Sequence, residues 1–294
     1  MDYSFPRYLI AKQSVDDRAL NRVVLDALKN NLPSHPLEII EVGGGIGTMI
    51  ARLLRWGVLA KARYTLVDEM AENIQFGMAW LPGWAQNFGL RAQTIGENQL
   101  RLFDDSRDIQ IHFRRADVFE FIESAPEKAD LLIAHAFLDL LPMPGSLPKL
   151  FSLIKTGGLG WLTINFDGVT TLEPATDPVL DAKIEALYHA SMDSRPTGGD
   201  SQAGRHLFGH IAQASGRILS AGASDWVVYP TEGQYPAEEG YFLHFILHFF
   251  EESLKNHPGL DAHAFENWLA LRRAQVLRGE LIYIAHQMDF LVKK

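Results

Sequence analysis

The stretch that decides the fold lies at residues 37–50 and reads Leu-Glu-Ile-Ile-Glu-Val-Gly-Gly-Gly-Ile-Gly-Thr-Met-Ile. A short apolar run ends at the acidic Glu41, a glycine turn follows, and an apolar helical pattern begins at Met49. This order predicts a strand, a tight turn and a helix. Glycines let the backbone approach a ligand closely, and a helix N-terminus offers free N–H groups and the positive end of a dipole. The stretch therefore predicts a site for a nucleotide-like ligand.

The spacing of the glycines separates two classes of ligand. The dinucleotide fingerprint places its third glycine three positions after the second. Counted from Gly43 and Gly45, that position holds Thr48, so the NAD pattern fails. The sequence instead has an acidic-x-Gly-x-Gly-x-Gly pattern, formed by Glu41, Gly43, Gly45 and Gly47 with Gly44 between them. This pattern resembles motif I of class I S-adenosylmethionine (SAM) dependent methyltransferases, while a glycine-rich turn of another α/β protein stays open as the alternative.

The resemblance implies roles for acidic residues at the ends of the next strands. Residues 62–69 form a second β-rich run that ends at Asp68-Glu69. In the family the acid at this point accepts hydrogen bonds from both ribose hydroxyls, and a carboxylate suits that geometry. The alternative is a strand-end Asp68 that caps the following helix. A third run at 109–118 ends at Asp117-Val118, where the family binds adenine.

A fourth run at 129–142 places His135 and Asp139 just beyond its apolar part. Ligands bind outside the carboxyl ends of the strands in open α/β sheets, so these side chains are expected to face the cofactor or the substrate. The predicted cofactor-binding set is Glu41, Gly43, Gly44, Gly45, Gly47, Asp68, Glu69, Asp117, Val118 and His135.

The regular alternation of apolar runs with helical patterns predicts an α/β fold with a doubly wound, mostly parallel sheet. The fifth strand is expected at Leu159–Phe166, and two late β-like runs lie at Trp226–Tyr229 and Leu281–Val292. The resemblance implies seven strands, the last of them antiparallel. We expect a single domain over residues 1–294, with a motif-bearing core at 37–167.

Three segments lie outside this core. Residues 1–34 have helical spacing and predict an N-terminal cap, in which Arg18 and Asn21 could face the pocket or simply be polar surface residues. Residues 168–205 form a long connection, which predicts a lid-like insertion. Residues 231–279 predict a helical insertion between the last two strands. The candidate substrate-binding residues are Arg18, Asn21, Asn165, Tyr188, His189, Asp193 and Arg195.

The two insertions carry further patterns. In the lid, His189 and Asp193 lie one helical turn apart, and the alternative to a substrate role is an exposed i,i+4 contact. The second insertion has an aromatic stripe, which is usually core but could line an apolar pocket or form a homodimer surface. It also holds His244 and His248, but no third ligand is evident and no metal site is predicted.

The composition limits the classes of partner and the compartments that are expected for the protein. The net charge of −9 argues against nucleic acid, which needs a basic surface. The sequence has no cysteine, which removes disulfides and thiolate nucleophiles and fits the cytoplasm. The start of the sequence has no signal-peptide pattern, and the most apolar helical stretch is too short to span a bilayer.

The expected function is therefore SAM-dependent methyl transfer to an O, N or C nucleophile of a small molecule. A sulfonium methyl is already electrophilic, so alignment is the main requirement, and a base is needed only for a protonated nucleophile. The candidate catalytic residues are His135, Asp139, Tyr188 and His189. Two alternatives stay open: an aminopropyltransferase-like enzyme, and a SAM-binding regulator without catalysis.

Overall fold

The computed structural model of the protein describes residues 3–125, 128–196 and 198–294. Within these ranges its centre is one ten-stranded sheet. The strands are β1 (Leu37–Val42), β2 (Lys61–Asp68), β3 (Arg91–Gly96), β4 (Gln99–Phe103), β5 (Asp108–Arg115), β6 (Ala129–His135), β7 (Ile154–Glu173), β8 (Arg217–Ala223), β9 (Trp226–Val228) and β10 (Ile282–Lys293). The helices are α1 (Phe5–Ala19), α2 (Arg22–Asn31), α3 (Thr48–Arg55), α4 (Ala71–Asn87), α5 (Val118–Ser124), α6 (Ser146–Ser152), α7 (Pro178–Asp193), α8 (Ala203–Gln213), α9 (Glu239–Leu254) and α10 (Ala262–Leu277), with a 3-10 helix at Leu138–Leu140.

The strand order is β3-β4-β5-β2-β1-β6-β7-β10-β8, and β9 pairs with β10. The five strands from β5 to β7 run parallel. β10 lies antiparallel between β7 and β8. The prediction of a doubly wound, mostly parallel sheet with an antiparallel late strand is therefore confirmed.

Three features of the sheet differ from the sequence expectation. The hairpin of β3 and β4 extends the sheet beyond β5 and was not predicted. The run at Trp226–Tyr229, expected as the sixth strand, forms only the short β9, and the edge of the sheet is β8. β7 continues through Glu173, because its second half pairs with β10, so the lid-like segment begins as a strand.

Both faces of the central strands are buried. Ile39 and Leu131 point into a core shared with α2, α3 and α9, whereas their neighbours Ile40 and Leu132 point into a second core with α5, α6 and α8. Successive side chains of a strand alternate between faces. Burial on both faces therefore requires the continuous apolar runs seen in β1 and β6.

The predicted N-terminal cap consists of α1 and α2, and the second insertion consists of α9 and α10. α1 packs against α9 and also contacts α3 and α4. It therefore reaches the two helices that follow the carboxyl ends of β1 and β2. None of the helices in the described ranges combines the length and apolar character needed to cross a membrane.

Candidate functional site

The glycine turn follows β1 at the point where the strand order reverses, with β2 on one side and β6 on the other. A crevice at this point is where open α/β sheets bind ligands. Gly43, Gly45 and Gly47 have φ angles of +64°, +56° and +82°. This left-handed backbone is easily adopted only by glycine. The alternating glycine pattern in the sequence thus has a conformational cause.

Asp68 joins the end of β2 to this turn. Its Oδ2 accepts a hydrogen bond from the backbone N–H of Gly45 at 2.8 Å. Its Oδ1 accepts one from the N–H of Met70 at 2.9 Å and one from Nδ2 of Asn73 at 3.0 Å. A carboxylate has about four acceptor positions, so Asp68 keeps capacity for a ligand hydroxyl. Its neighbour Glu69 is exposed.

Glu41 lies below the turn and is 2% exposed. The hydroxyl of Tyr64 donates a hydrogen bond to its Oε2 at 2.7 Å. Burial raises the pKa of Glu41 to about 8, against the opposing effects of Tyr64 and Arg52. Glu41 is therefore protonated at neutral pH and supports the turn from inside the protein.

Asp117 caps α5. Its Oδ1 accepts hydrogen bonds from the N–H groups of Phe119 at 2.8 Å and Glu120 at 3.2 Å. The residue is exposed and Val118 beside it is buried. Because the N–H of Ala116 donates to the carbonyl of Asp68, the two strand ends lie side by side. This placement agrees with the predicted arrangement, and the adenine role stays a prediction.

His135 belongs to a buried polar cluster under α1. Its Nε2 lies 2.9 Å from Oδ2 of Asp16, and its Nδ1 lies 2.8 Å from Oγ1 of Thr163. Lys12 donates to the same Asp16 oxygen at 2.8 Å, and the indole N–H of Trp226 donates to Oδ1 of Asp16 at 2.9 Å. The cluster therefore fastens α1 to the carboxyl end of β6 and to the middle of β7.

The charges in this cluster are set by burial and by pairing. Burial lowers the pKa of His135 to about 4, although Asp16 opposes that shift. Burial alone would raise the pKa of Asp16, but the charge of Lys12 and the contact with His135 bring it well below its usual range. At neutral pH we therefore assign a neutral imidazole beside an ionised carboxylate.

The space beside the glycine turn is taken by the protein's own side chains. A Cβ placed on Gly45 would lie 2.8 Å from Cδ1 of Leu9 in α1. A Cβ placed on Gly43 would meet the ring of Phe137, from the loop after β6. The ribose role of Asp68 stays a prediction. The turn itself is covered, and a ligand above it would require Leu9 and Phe137 to move.

Asp139 and Tyr188, both candidate catalytic residues, lie in one electrostatic neighbourhood with Arg195. Burial raises the pKa of Asp139 to about 6, and the charge of Arg195 opposes this shift. Burial also raises the pKa of Tyr188 to about 12, with a contribution from Asp139. The structure thus brings residues of the lid-like segment next to the loop after β6.

The other candidate substrate residues make contacts within the protein. His189 and Asp193 do not bond to each other: Nε2 of His189 lies 3.0 Å from Oγ1 of Thr170, and Asp193 accepts from the N–H of Ser201 at 2.7 Å. The remaining partners are Glu239 for Arg18, Val24 N–H and the Ala223 carbonyl for Asn21, and the Met288 carbonyl for Asn165. These contacts favour structural roles for the five residues, and their substrate roles stay predictions.

Lys12 and Asp16 were not among the predicted site residues, although the sequence carries a signal for them. They lie one helical turn apart, on the same face as the apolar Tyr8, Ala11 and Val15. Charged residues on an otherwise apolar helix face mark a buried polar site. Their partner His135 is 119 positions away from Asp16, which no local pattern can reveal.

One histidine of the second insertion, His248, packs as an aromatic group. The ring of His248 stacks on Tyr3, with 4.0 Å between centroids. Across the described ranges, no group of three or more His, Cys, Asp or Glu side chains is placed to hold a metal ion.

The architecture occurs in solved structures that span nearly the whole chain. A protein from Bacillus halodurans C-125, provisionally assigned as a methyltransferase, has a TM-score of 0.50 at 9% identity and covers 93% of this chain and 99% of its own. YjhP from E. coli has a TM-score of 0.50 at 13% identity and covers 98% and 99%. The SAM-dependent methyltransferase from Thiobacillus denitrificans, in complex with S-adenosyl-L-homocysteine, has a TM-score of 0.49 at 13% identity and covers 99% of both chains.

No protein-family model matches the sequence, and no curated protein matches it significantly. At these low identities, the likeness to the two structures with a TM-score of 0.50 shows the fold. The resemblance to class I methyltransferases is thus confirmed at the level of the fold.

Proposed function

We propose that the protein is a SAM-dependent methyltransferase that acts on a small molecule. The observation that carries the proposal is the hydrogen bond between Asp68 and the N–H of Gly45 at the switch point of the sheet. It places a buried carboxylate with spare acceptor capacity beside a turn of left-handed glycines. The fold, which is that of a protein provisionally assigned as a methyltransferase, supports the same proposal.

Each residue then has a defined task toward the cofactor. Asp68 would accept a hydrogen bond from a ribose hydroxyl, and the glycine turn would lie against the amino-acid end once Leu9 and Phe137 have moved aside. Bound SAM would supply a methyl group on a positively charged sulfur, and the methyl would pass to the acceptor as the C–S bond breaks and its electron pair stays on sulfur. The tight cover of α1 favours an enclosed small acceptor over a macromolecule, and the net charge of −9 argues against nucleic acid.

Calorimetric titration with SAM and S-adenosylhomocysteine (SAH) tests the proposal. We expect binding of both compounds at one site per chain, and formation of SAH when an acceptor is supplied. Absence of binding would refute the proposal. Binding of decarboxylated SAM alone would favour an aminopropyltransferase, and SAM binding without transfer to any acceptor of a broad panel would favour a regulator.

A further inference from the structure

Three buried tyrosines have hydroxyl groups without a hydrogen-bond partner in the part of the chain that the structure describes. Tyr8, Tyr188 and Tyr283 are 6%, 8% and 4% exposed. Among the residues that the structure describes, none of their hydroxyls forms a hydrogen bond, whereas the hydroxyl of Tyr64 donates to Glu41 at 2.7 Å. Unlike Oδ1 of Asp139, these hydroxyl oxygens keep some solvent-accessible surface. A hydroxyl that faces accessible space and has no protein partner is available to bond to a ligand.

The rings of these tyrosines are held by the aromatic stripe of α9. Tyr188 stacks on Phe250, with 3.9 Å between centroids and planes 17° apart. Tyr8 stacks on Phe245 at 4.5 Å, and Tyr283 meets Phe242 at 6.2 Å. The aromatic stripe therefore belongs to the hydrophobic core, which is the usual role of such a pattern. Because packing fixes the rings, the hydroxyls are positioned before any ligand arrives.

Asp139 adds a carboxylate oxygen to the group. Its Oδ1 is inaccessible to solvent and has no partner among the described residues. The N–H of Asp200 donates to the carbonyl of Asp139 at 3.1 Å, and the N–H of the adjacent Ser201 donates to Asp193, which lies in the same helix as Tyr188. The charge of Asp139 also contributes to the raised pKa of Tyr8 and Tyr188, after burial, which is the larger cause in each case. We therefore place the carboxylate and the hydroxyls of Tyr8 and Tyr188 around one space.

This space borders the glycine turn on two sides. Tyr8 is next in sequence to Leu9, which covers Gly45, and Asp139 lies two residues after Phe137, which covers Gly43. A ligand held by Tyr8 and Asp139 would thus lie next to the part of the cofactor that the turn contacts.

On the basis of the proposed methyltransferase function, we propose that the hydroxyls of Tyr8, Tyr188 and Tyr283 and the carboxylate of Asp139 bind the methyl acceptor, and that this acceptor is a small amine. A protonated nitrogen pairs with the carboxylate, its remaining N–H groups donate to hydroxyl oxygens, and aromatic faces suit a cation. The nearby Lys12 is already paired with Asp16 at 2.8 Å. One proton then moves from the ammonium to Asp139, which leaves the nitrogen with the lone pair that methylation requires.

The first test measures stability. Tyr188→Phe and Tyr8→Phe remove only unpartnered hydroxyls, so we expect the free energy of unfolding in urea to stay the same or rise. Tyr64→Phe is the matched control and should lower it, because that hydroxyl has a partner. Loss of stability in the first two variants would show that their hydroxyls have structural partners, and would overturn the proposal.

The second test measures binding to the SAH-loaded protein. The probes are ethanolamine and dimethylamine, with propionate as the anionic control, followed by saturation-transfer NMR and calorimetry at pH 8. We expect the amines to bind and propionate not to bind. Asp139→Asn should weaken amine binding about tenfold or more, since a charged hydrogen bond is lost, whereas Tyr235→Phe, whose hydroxyl bonds to the Leu281 carbonyl, should not.

The outcomes separate the two proposals. If SAH binds but the amines do not, or if propionate binds in their place through Arg195, the amine proposal is wrong and the proposed function stands. If SAH itself does not bind, both are wrong.

Discussion

Asp68 and Gly45 are joined by a hydrogen bond of 2.8 Å between a carboxylate oxygen and a backbone N–H. One side chain thereby connects the end of β2 to the turn after β1. The same carboxylate also accepts bonds from Met70 and Asn73, so its position is fixed from both sides. A ligand at the switch point would meet a carboxylate whose orientation is already set.

We predict that Asp68→Asn weakens SAH binding by about 1–3 kcal/mol, because ligand donors are left without their charged acceptor. Calorimetric titration checks this. Asp26→Asn is the control, since this carboxylate is exposed on α2 and the variant should bind SAH as the wild type does. Equal affinity in the Asp68 variant would contradict the ribose role.

The cover over the turn predicts a slow association step. Leu9 and Phe137 occupy the space beside Gly45 and Gly43, so they must move before the cofactor binds. Leu9→Ala and Phe137→Ala should each speed the association of SAH. Stopped-flow fluorescence can follow it, because Nε1 of Trp80 donates to the Ile46 carbonyl within the turn.

The control for these rates is Val23→Ala, since Val23 is 71% exposed on α2. If Leu9→Ala and Phe137→Ala bind SAH at the same rate as this control and the wild type, the cover does not limit binding.

Glu41 predicts a pH dependence of stability. Burial raises its pKa from 4.5 to about 8. Between these values the folded protein keeps a proton that the unfolded chain releases, so this carboxyl stabilises the fold at low pH and the contribution is lost as the pH rises. The variant Glu41→Gln can still accept a hydrogen bond from Tyr64, but it has no carboxyl group to titrate. The decrease in the free energy of unfolding between pH 5 and pH 8 should therefore be smaller in this variant than in the wild type.

Urea unfolding at several pH values measures that slope. Glu123→Gln, a change at an exposed position, should leave it as in the wild type. Asp139, Glu185 and Asp289 also have a raised pKa, so part of the slope should persist. An unaltered slope in the Glu41 variant would show that this group is ionised in the fold.

Asp16→Asn should destabilise the protein by about 3–5 kcal/mol, because it leaves a buried charge without its partner. Lys12 and Asp16 are 5% and 2% exposed. Glu238→Gln breaks the exposed pair with Arg7 and should cost about 1 kcal/mol or less. Urea unfolding measures the free energy of unfolding of both variants. If both substitutions lower it by equally small amounts, the buried cluster does not fasten α1 to the sheet.

The parts of the fold that were predictable are those with local causes. The alternation of Gly43, Gly45 and Gly47 anticipates three left-handed residues. The apolar runs of β1 and β6 anticipate strands buried on both faces. In both cases the type of residue follows from a local requirement. A glycine marks the backbone conformation of its own position, and an apolar residue marks the burial of its own side chain.

The parts that were not predictable depend on distant partners. β8 carries small residues with weak alternation, and its pairing with β10 makes it a strand. β7 extends to Glu173 for the same reason. Tyr8 and Tyr283 were overlooked because each looks like an ordinary core aromatic residue until the fold shows that their hydroxyls have no partner among the described residues.

The position of β10 has a consequence for how the molecule assembles during synthesis. β10 follows every other strand in the sequence, yet it lies between β7 and β8 and also pairs with β9. Until the ribosome has released it, the facing edges of all three strands keep unpaired backbone groups. The sheet is therefore completed only after β10 has been translated. A nascent chain halted before β10 would expose unpaired strand edges, which chaperones can bind.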